Sequence, residues 1–265
     1  MAIISIANHK GGTGKTSMCL GIGVYFARNG YKVLIIDMDP QGHIAPGLGI
    51  DIGYDDPSMA DVISLKKGIS DIIIKTNIDG LYIAPATIRL NYVSETLYNT
   101  FQRERRLKKA LADLIQDHLY DVILIDCSPS MGPLVENALT VSDYCLIPCE
   151  PSSRSIDGLA DFMHRVNEIR EGELDNKWFI VLSRVKKAAK LTNEVIDEKL
   201  SEFTNRIIET KVFERETVNQ AQIAGVTVFD FPRAGDVIDN YTKLGAEISK
   251  KCGIKKHSSK KKKDK

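Results

Sequence analysis

The stretch Ile3-Ile4-Ser5-Ile6-Ala7-Asn8-His9-Lys10-Gly11-Gly12-Thr13-Gly14-Lys15-Thr16 constrains the fold more than any other part of the 265-residue chain. A β-branched apolar run ends in a glycine-rich turn, and a helix-like segment from Ser17 to Arg28 follows at once. Strand, loop and helix in that order are the setting of a phosphate-binding loop. Glycines let backbone N–H groups crowd round a polyphosphate without Cβ clashes, and the helix that follows aims the positive end of its dipole at the anion. Lys15 is then placed to reach the β- and γ-phosphates, and the Thr16 hydroxyl to ligate Mg2+.

Two further stretches place carboxylates where such a loop needs them. Lys32-Val33-Leu34-Ile35-Ile36 reads as a buried strand that delivers Asp37-Met38-Asp39-Pro40-Gln41 at its carboxyl end. Ligands of open parallel sheets sit beyond the carboxyl ends of the strands. Val122-Ile123-Leu124-Ile125-Asp126 repeats the arrangement, with four apolar residues leading to one aspartate, about a hundred residues after the loop. This is the Walker B pattern, a buried strand whose last carboxylate holds Mg2+ directly or through water.

The loop departs from the usual pattern. His9 stands six residues before Lys15, where glycine is expected, and a second lysine, Lys10, precedes the glycine pair. Lys-Gly-Gly-Thr-Gly-Lys-Thr resembles the deviant loop of the ParA/MinD branch of P-loop ATPases, and Asp37-Met38-Asp39-Pro40-Gln41-Gly42 resembles the switch I signature of ParA/Soj-type DNA-partitioning ATPases. The likeness implies that Lys10 reaches across a sandwich dimer to the partner's nucleotide. It implies that Asp39 orients the attacking water, that Asp37 supports the shell of the metal held by Thr16 and Asp126, and that Lys10, Gly11, Gly12, Thr13, Gly14, Lys15, Thr16 and Ser17 hold ATP. Lys10, Lys15 and Asp39 are the candidate catalytic residues, with ATP and Mg2+ as the implied cofactors. Ser128 in Asp126-Cys127-Ser128-Pro129 departs from the family's continuation after Walker B.

Composition limits the alternatives. No apolar run is long enough to span a bilayer and no signal-peptide pattern opens the chain, so a cytoplasmic protein with no stable membrane insertion is expected, and the resemblance implies that it is nucleoid-associated. Five cysteines, Cys19, Cys127, Cys145, Cys149 and Cys252, show no C-x-x-C spacing, which speaks against a disulfide framework or a cluster carrier. The net charge of +1 is unevenly distributed. Residues 255–265 contain seven lysines and one aspartate, so residues 1–254 carry −5. A tail of that composition has nothing apolar to bury and reads as disordered, either a solvated end or an electrostatic hook for nucleic acid or anionic lipid.

Strands alternating with helices, without repeats or a linker, argue for one doubly wound α/β domain with a mostly parallel sheet over 1–252, followed by a lysine-rich tail over 253–265. Residues 45–70 read as a mobile surface excursion with a short helical piece, and 92–118 as one long helix with Phe101, Leu107, Leu111 and Leu114 facing the core. In that helix the basic cluster Arg103, Arg105, Arg106, Lys108 and Lys109 reads as a solvated face, with DNA contact as the alternative. Trp178–Leu182 and Ile207–Phe213 read as strands, and Asp236–Lys251 as a helix buried through Val237, Tyr241, Leu244 and Ile248. Because the chain starts at its first strand, the helix-turn-helix extension of longer partition ATPases is not expected. Basic residues in the C-terminal half of ParA proteins contact DNA phosphates, which makes Arg184, Lys186, Lys187 and Lys190 the candidates for nonspecific DNA. The family also implies an ATP-dependent homodimer and a ParB-like centromere-binding partner. Two other classes share the fold. A MinD-like membrane-surface ATPase should end in an apolar amphipathic helix, whereas Ile254 is the one large apolar residue after Cys252 in a stretch dominated by lysines. An iron–sulfur reductase needs a second well-placed cysteine beside Cys127.

Overall fold

The computed structural model describes residues 1–171, 177–186 and 198–256. Seven strands form one sheet: β1 (Ala2–Ile6), β2 (Val33–Met38), β3 (Ile74–Lys75), β4 (Leu81–Ala84), β5 (Val122–Cys127), β6 (Tyr144–Cys149) and β7 (Trp178–Leu182). Their order across the sheet is β3-β4-β2-β5-β1-β6-β7, parallel throughout except for the short edge strand β3. Parallel strands covered on both faces must be apolar on both, and β1, β2 and β5 are buried along their whole length.

Alternate residues feed two cores. Ile3, Leu34, Ile36, Ile123 and Ile125 face one layer, and Ile4, Ile6, Val33, Ile35 and Leu124 the other. The first layer is closed by α2 (Met59–Ile63), α3 (Arg89–Leu97), α6 (Pro133–Val141) and α7 (Ser153–Arg170), the second by α1 (Lys15–Arg28) and a C-terminal helix over Gly235–Lys251. The helix-spaced set Val237, Tyr241, Leu244 and Ile248 is buried as its periodicity requires. α1 and the C-terminal helix interlock through glycine notches. A Cβ on Gly21 would lie 2.4 Å from the Tyr241 ring, and one on Gly245 2.1 Å from the Tyr25 ring.

Three expected elements take a different form. The long helix over 92–118 is broken into α3, a tight turn over Arg103–Arg105, α4 (Arg106–Ala110) and α5 (Ala112–Gln116). Thr96 and Thr100 bond back to carbonyls of the preceding turn, Gln102 takes a left-handed φ of 52°, and Asn137 supplies the bonds that the broken backbone lacks, to Leu107 N and Arg103 O. Leu107, Leu111 and Leu114 are buried, but Phe101 is 89% exposed. Of the basic cluster, Arg103 is not merely solvated, since it pairs with the buried Glu136, which also pairs with Arg165.

Residues 45–70 are a surface excursion only in part, because Ala45, Leu48, Met59, Ala60, Val62 and Ile63 are core residues while 53–57 and 65–68 are exposed. Among the described residues, the segment over 207–213 makes two isolated parallel bridges, Ile180 with Ile207 and Val185 with Phe213. The C-terminal helix takes the bonds that a ladder would need. Glu247 accepts from Glu209 N and Thr210 N at 2.7 and 2.9 Å, and Asn240 binds Phe213 N and Lys211 O. After that helix Ile254 is buried and Lys256 lies over the Tyr31 ring, while the rest of the lysine tail lies outside the described residues. All five cysteines are buried and unpaired, and no helix among the described residues is long and apolar enough to cross a membrane.

Candidate functional site

β1 sits where the strand order reverses, between β5 and β6, and its carboxyl end opens into the glycine loop. Gly12 and Gly14 have φ of 72° and 83°, a conformation that L side chains rarely adopt, so the turn depends on glycine at both places. Distant residues hold the loop down. Asn8 donates to Pro148 O at 2.7 Å and accepts from Lys10 N, and the buried Ser183 hydroxyl donates to Thr13 O at 2.8 Å. Lys15 begins α1 and folds back to donate to Lys10 O at 3.1 Å. Burial pushes the Lys15 amine below its ordinary value, and the nearby Asp126 partly offsets this.

Strand register assembles the carboxylates. β2 and β5 pair with Asp37 directly beside Asp126, and Asp126 is in turn beside Ile6 at the end of β1. Asp126 accepts the Thr16 hydroxyl at 2.7 Å through Oδ2, while its buried Oδ1 has no hydrogen-bond partner. Burial drives the Asp126 carboxyl up to about 7, against the Thr16 hydrogen bond and with the help of Asp39. Asp37 is raised as well, by burial and by Asp126. Both Asp37 oxygens accept backbone N–H groups, from Asp39 at 3.0 Å and Ile44 at 3.2 Å, so its carboxylate shapes the loop that carries Asp39. Asp39 accepts Gln41 N and faces the cavity. Two buried carboxylates whose charge is disfavoured, one with an orphaned oxygen next to a threonine hydroxyl, fit a hard divalent cation.

The loop lines a cavity of about 570 Å3, within the range of small-molecule sites. Its far wall is Val212–Arg215 together with Val218, Asn219 and Gln222 of α8 (Glu216–Ile223), and Gln222 donates to the Ser17 hydroxyl at 3.1 Å. The helix over Gly235–Lys251 is α9. Lys10 lies outside the cavity lining, where its amine donates to Glu150 at 2.7 Å and Ser155 at 2.9 Å. His9 packs its ring on Phe162 of α7 and fills the space above Gly158, where a Cβ would lie 2.6 Å from Nε2.

Of the four basic candidates, Arg184 faces this cavity and binds Gly12 O and Glu214. Lys186 is exposed, 3.6 Å from Glu214, and Lys187 and Lys190 lie outside the described residues. Sequence reasoning missed Asn8, Glu150, Ser155, Ser183 and Gln222. None belongs to a contiguous motif that marks its role, and only the fold brings the last four to the loop.

Comparisons with known proteins show the family of the chain. An AAA domain family model matches residues 1–179. The sporulation initiation inhibitor protein Soj of Bacillus subtilis is 32% identical over 250 residues, covering 93% of this chain and 98% of Soj. The chromosome partitioning protein ParA of Caulobacter vibrioides is 31% identical over 253 residues, 94% of either chain. Among solved structures, a plasmid partition protein from Borrelia burgdorferi bound to AMPPNP superposes with a TM-score of 0.79 at 27% identity, covering 94% of this chain and 99% of that one. By its loop, its sheet and these relatives, the chain belongs to the ParA/Soj family of P-loop ATPases with the deviant Walker A loop.

Proposed function

We propose that the protein is a DNA-partition ATPase, which hydrolyses ATP with Mg2+, dimerises on ATP, coats nonspecific DNA and is released by a ParB-like partner. The observation that carries this reading is the joining of Lys10–Ser17 to Asp37, Asp39 and Asp126 at the carboxyl end of the sheet, in a chain whose relatives include a chromosome partitioning protein. Thr16 and Asp126 would hold Mg2+, which neutralises phosphate charge when bound. The loop N–H groups and Lys15 orient the polyphosphate, and Asp39, at the mouth of the cavity, orients and polarises the attacking water. Asp37 keeps that loop in register through its two backbone bonds. Phosphoryl transfer asks for positioning and electrostatic stabilisation, and these residues supply both.

ATP at a dimer interface stabilises the dimer, and hydrolysis removes that differential affinity. Lys186, Lys187, Lys190 and the lysine tail are the DNA-facing charges of this reading. Co-sedimentation with nonspecific DNA and with anionic vesicles, under ATP, ADP or no nucleotide, tests it. A chain ending at Lys256 serves beside the full-length protein, because it keeps Ile254 and the Lys256–Tyr31 contact. ATP-dependent DNA binding that survives truncation is expected. ATP-dependent vesicle binding without DNA binding would transfer the protein to the MinD-like class. Binding that ignores nucleotide and vanishes with the tail would overturn the partition reading.

A further inference from the structure

We propose that Arg184, with Glu214 as its counter-ion, is a positioning residue of the nucleotide pocket. It forms a bridge that ties the phosphate loop to the far wall and sets how firmly the pocket retains a nucleoside di- or triphosphate. The proposal rests on the nucleotide reading above and gives the basic loop after β7 a role other than DNA contact.

The geometry of the side chain carries it. Nη1 donates to Gly12 O at 3.0 Å, and Nη2 and Nε donate to Glu214 Oε1 at 2.6 and 3.2 Å. The side chain is 46% exposed, yet each of its three nitrogens has a partner, and both partners belong to the cavity lining. Hydrogen bonding from Arg184 holds the Glu214 carboxyl below its ordinary range, so the pair is charged at neutral pH.

Both ends of the bridge stand on a fixed frame. Ser183 is buried, with its N–H on Cys149 O and its hydroxyl on Thr13 O. Val185 N bonds Val212 O, and Glu214 N bonds Val185 O. Between them Arg184 takes a left-handed φ of 54°, unfavourable for a residue with a Cβ and kept only where the surroundings impose it. Residues 183 and 184 therefore grip consecutive carbonyls of the phosphate loop, Thr13 and Gly12, and leave the loop N–H groups for a ligand. A cradle held open in this way loses less conformational freedom when the anion arrives. The planar guanidinium spans carbonyl and carboxylate at once, which a lysine ammonium does not do with the same fixed geometry.

The test is a titration of full-length protein with a fluorescent N-methylanthraniloyl-ADP in Mg2+, without DNA, for wild type, Arg184→Ala, Arg184→Lys, Glu214→Gln and the Arg184→Ala/Glu214→Gln double variant. Melting of each without nucleotide checks folding. Arg184→Ala should weaken ADP by about 10-fold, the scale of one charge-assisted hydrogen bond. Glu214→Gln should weaken it less, Arg184→Lys should recover only part, and the double variant should match Arg184→Ala because the bridge breaks once. In steady-state ATPase assays KM for ATP should rise while kcat at saturation is retained. Unchanged ADP affinity in Arg184→Ala with lost DNA co-sedimentation would make Arg184 a DNA contact and overturn the proposal. Tighter ADP binding in Glu214→Gln would also overturn it, by showing that Glu214 only withholds Arg184 from phosphate. No ADP binding by wild type would refute the nucleotide reading itself, a result distinct from either.

Discussion

Asp126 illustrates how a residue proposed for the metal site can be costly to the fold. Its carboxyl, pushed up to about 7 by burial, keeps one oxygen without a partner. Asp126→Asn retains an acceptor for Thr16 and removes the buried charge. Without ligand the variant should therefore melt no lower than wild type, and up to about 1 kcal/mol more stable. Stabilisation by Mg2+ with ADP should be lost in the same variant. Melting curves with and without Mg-ADP check both halves, and a full ligand-induced shift in the variant would remove Asp126 from the metal site. Asp39→Ala should leave ATP binding within a few-fold and cut turnover by about 100-fold or more, as loss of a group acting on the attacking water does. Undiminished turnover would sink that role. These residues were legible because the chain writes them as contiguous motifs. Glu150 and Ser155, which hold Lys10, lie 140 and 145 residues from it, and no local pattern announces them. Arg184 was legible as a basic loop residue, but the face of the loop it occupies is set by its backbone conformation, which the sequence does not display.

At the scale of elements, legibility followed apolar periodicity. β1, β2, β5, β7 and α9 appear where their patterns place them, because a core on both sheet faces enforces those patterns. The breaks in 92–118 were not legible, since Leu107, Leu111 and Leu114 keep helical spacing across them and the causes are threonine back-bonds and a distant Asn137. Ile207–Phe213 has the composition of a strand and bonds to β7 through Ile208 and Val212, but side chains of α9 take the bonds of Glu209, Thr210, Lys211 and Phe213. The packing of α1 on α9 supports a sharper prediction. Alanine at Gly21 would ordinarily gain about 1 kcal/mol of helix propensity. The added methyl, however, would meet the buried Tyr241 ring, so Gly21→Ala should destabilise by about 1–3 kcal/mol instead. Gly235→Ala, with open space around its Cβ, is the control and should be neutral or stabilising. Urea unfolding of both decides it; equal midpoints would mean that the notch is not tight.

The α2–α3 junction should depend on pH. Asp61 caps α2 by accepting Ser58 N and accepts Arg89 Nη2 and Nη1 at 2.9 and 3.1 Å. Burial opposes its charge, but Arg89 and the Ser58 N–H outweigh burial and hold the carboxyl below its ordinary value. A depressed carboxylate stabilises the fold above its unfolded value, about 4, and that stability is lost as pH falls through the folded value. Asp61→Asn should therefore cost about 2 kcal/mol at pH 7 and progressively less below pH 4. A constant difference across that range would show that charge is not the cause.

For the whole molecule the question is whether one chain is the working unit. Lys10 is the residue that distinguishes this loop from an ordinary one, yet within the chain it lies outside the cavity lining and is held by Glu150 and Ser155. Both members of the ion pair are about one-third exposed, at 35% and 33%, so the pair is worth roughly 0–1 kcal/mol and is easily exchanged. A lysine on a weak surface ion pair, beside the mouth of an anion site, is suited to move to a stronger anion offered by a second copy. The triphosphate of a partner chain is such an anion, because its charge density exceeds that of one carboxylate. Lys10→Ala should thus leave ADP affinity within a few-fold of wild type, since no contact to the chain's own cavity is lost. The same variant should fail to form the ATP-dependent dimer. Lys15→Ala, which removes a loop lysine from the cavity itself, should lose nucleotide altogether and serves as the contrasting variant. Light scattering with the slowly hydrolysing Asp39→Ala background, with and without Lys10→Ala, separates the cases. A dimer that forms equally well without Lys10 would confine this lysine to its bonds with Glu150 and Ser155. Loss of the dimer with ADP binding intact would make the second chain part of the site.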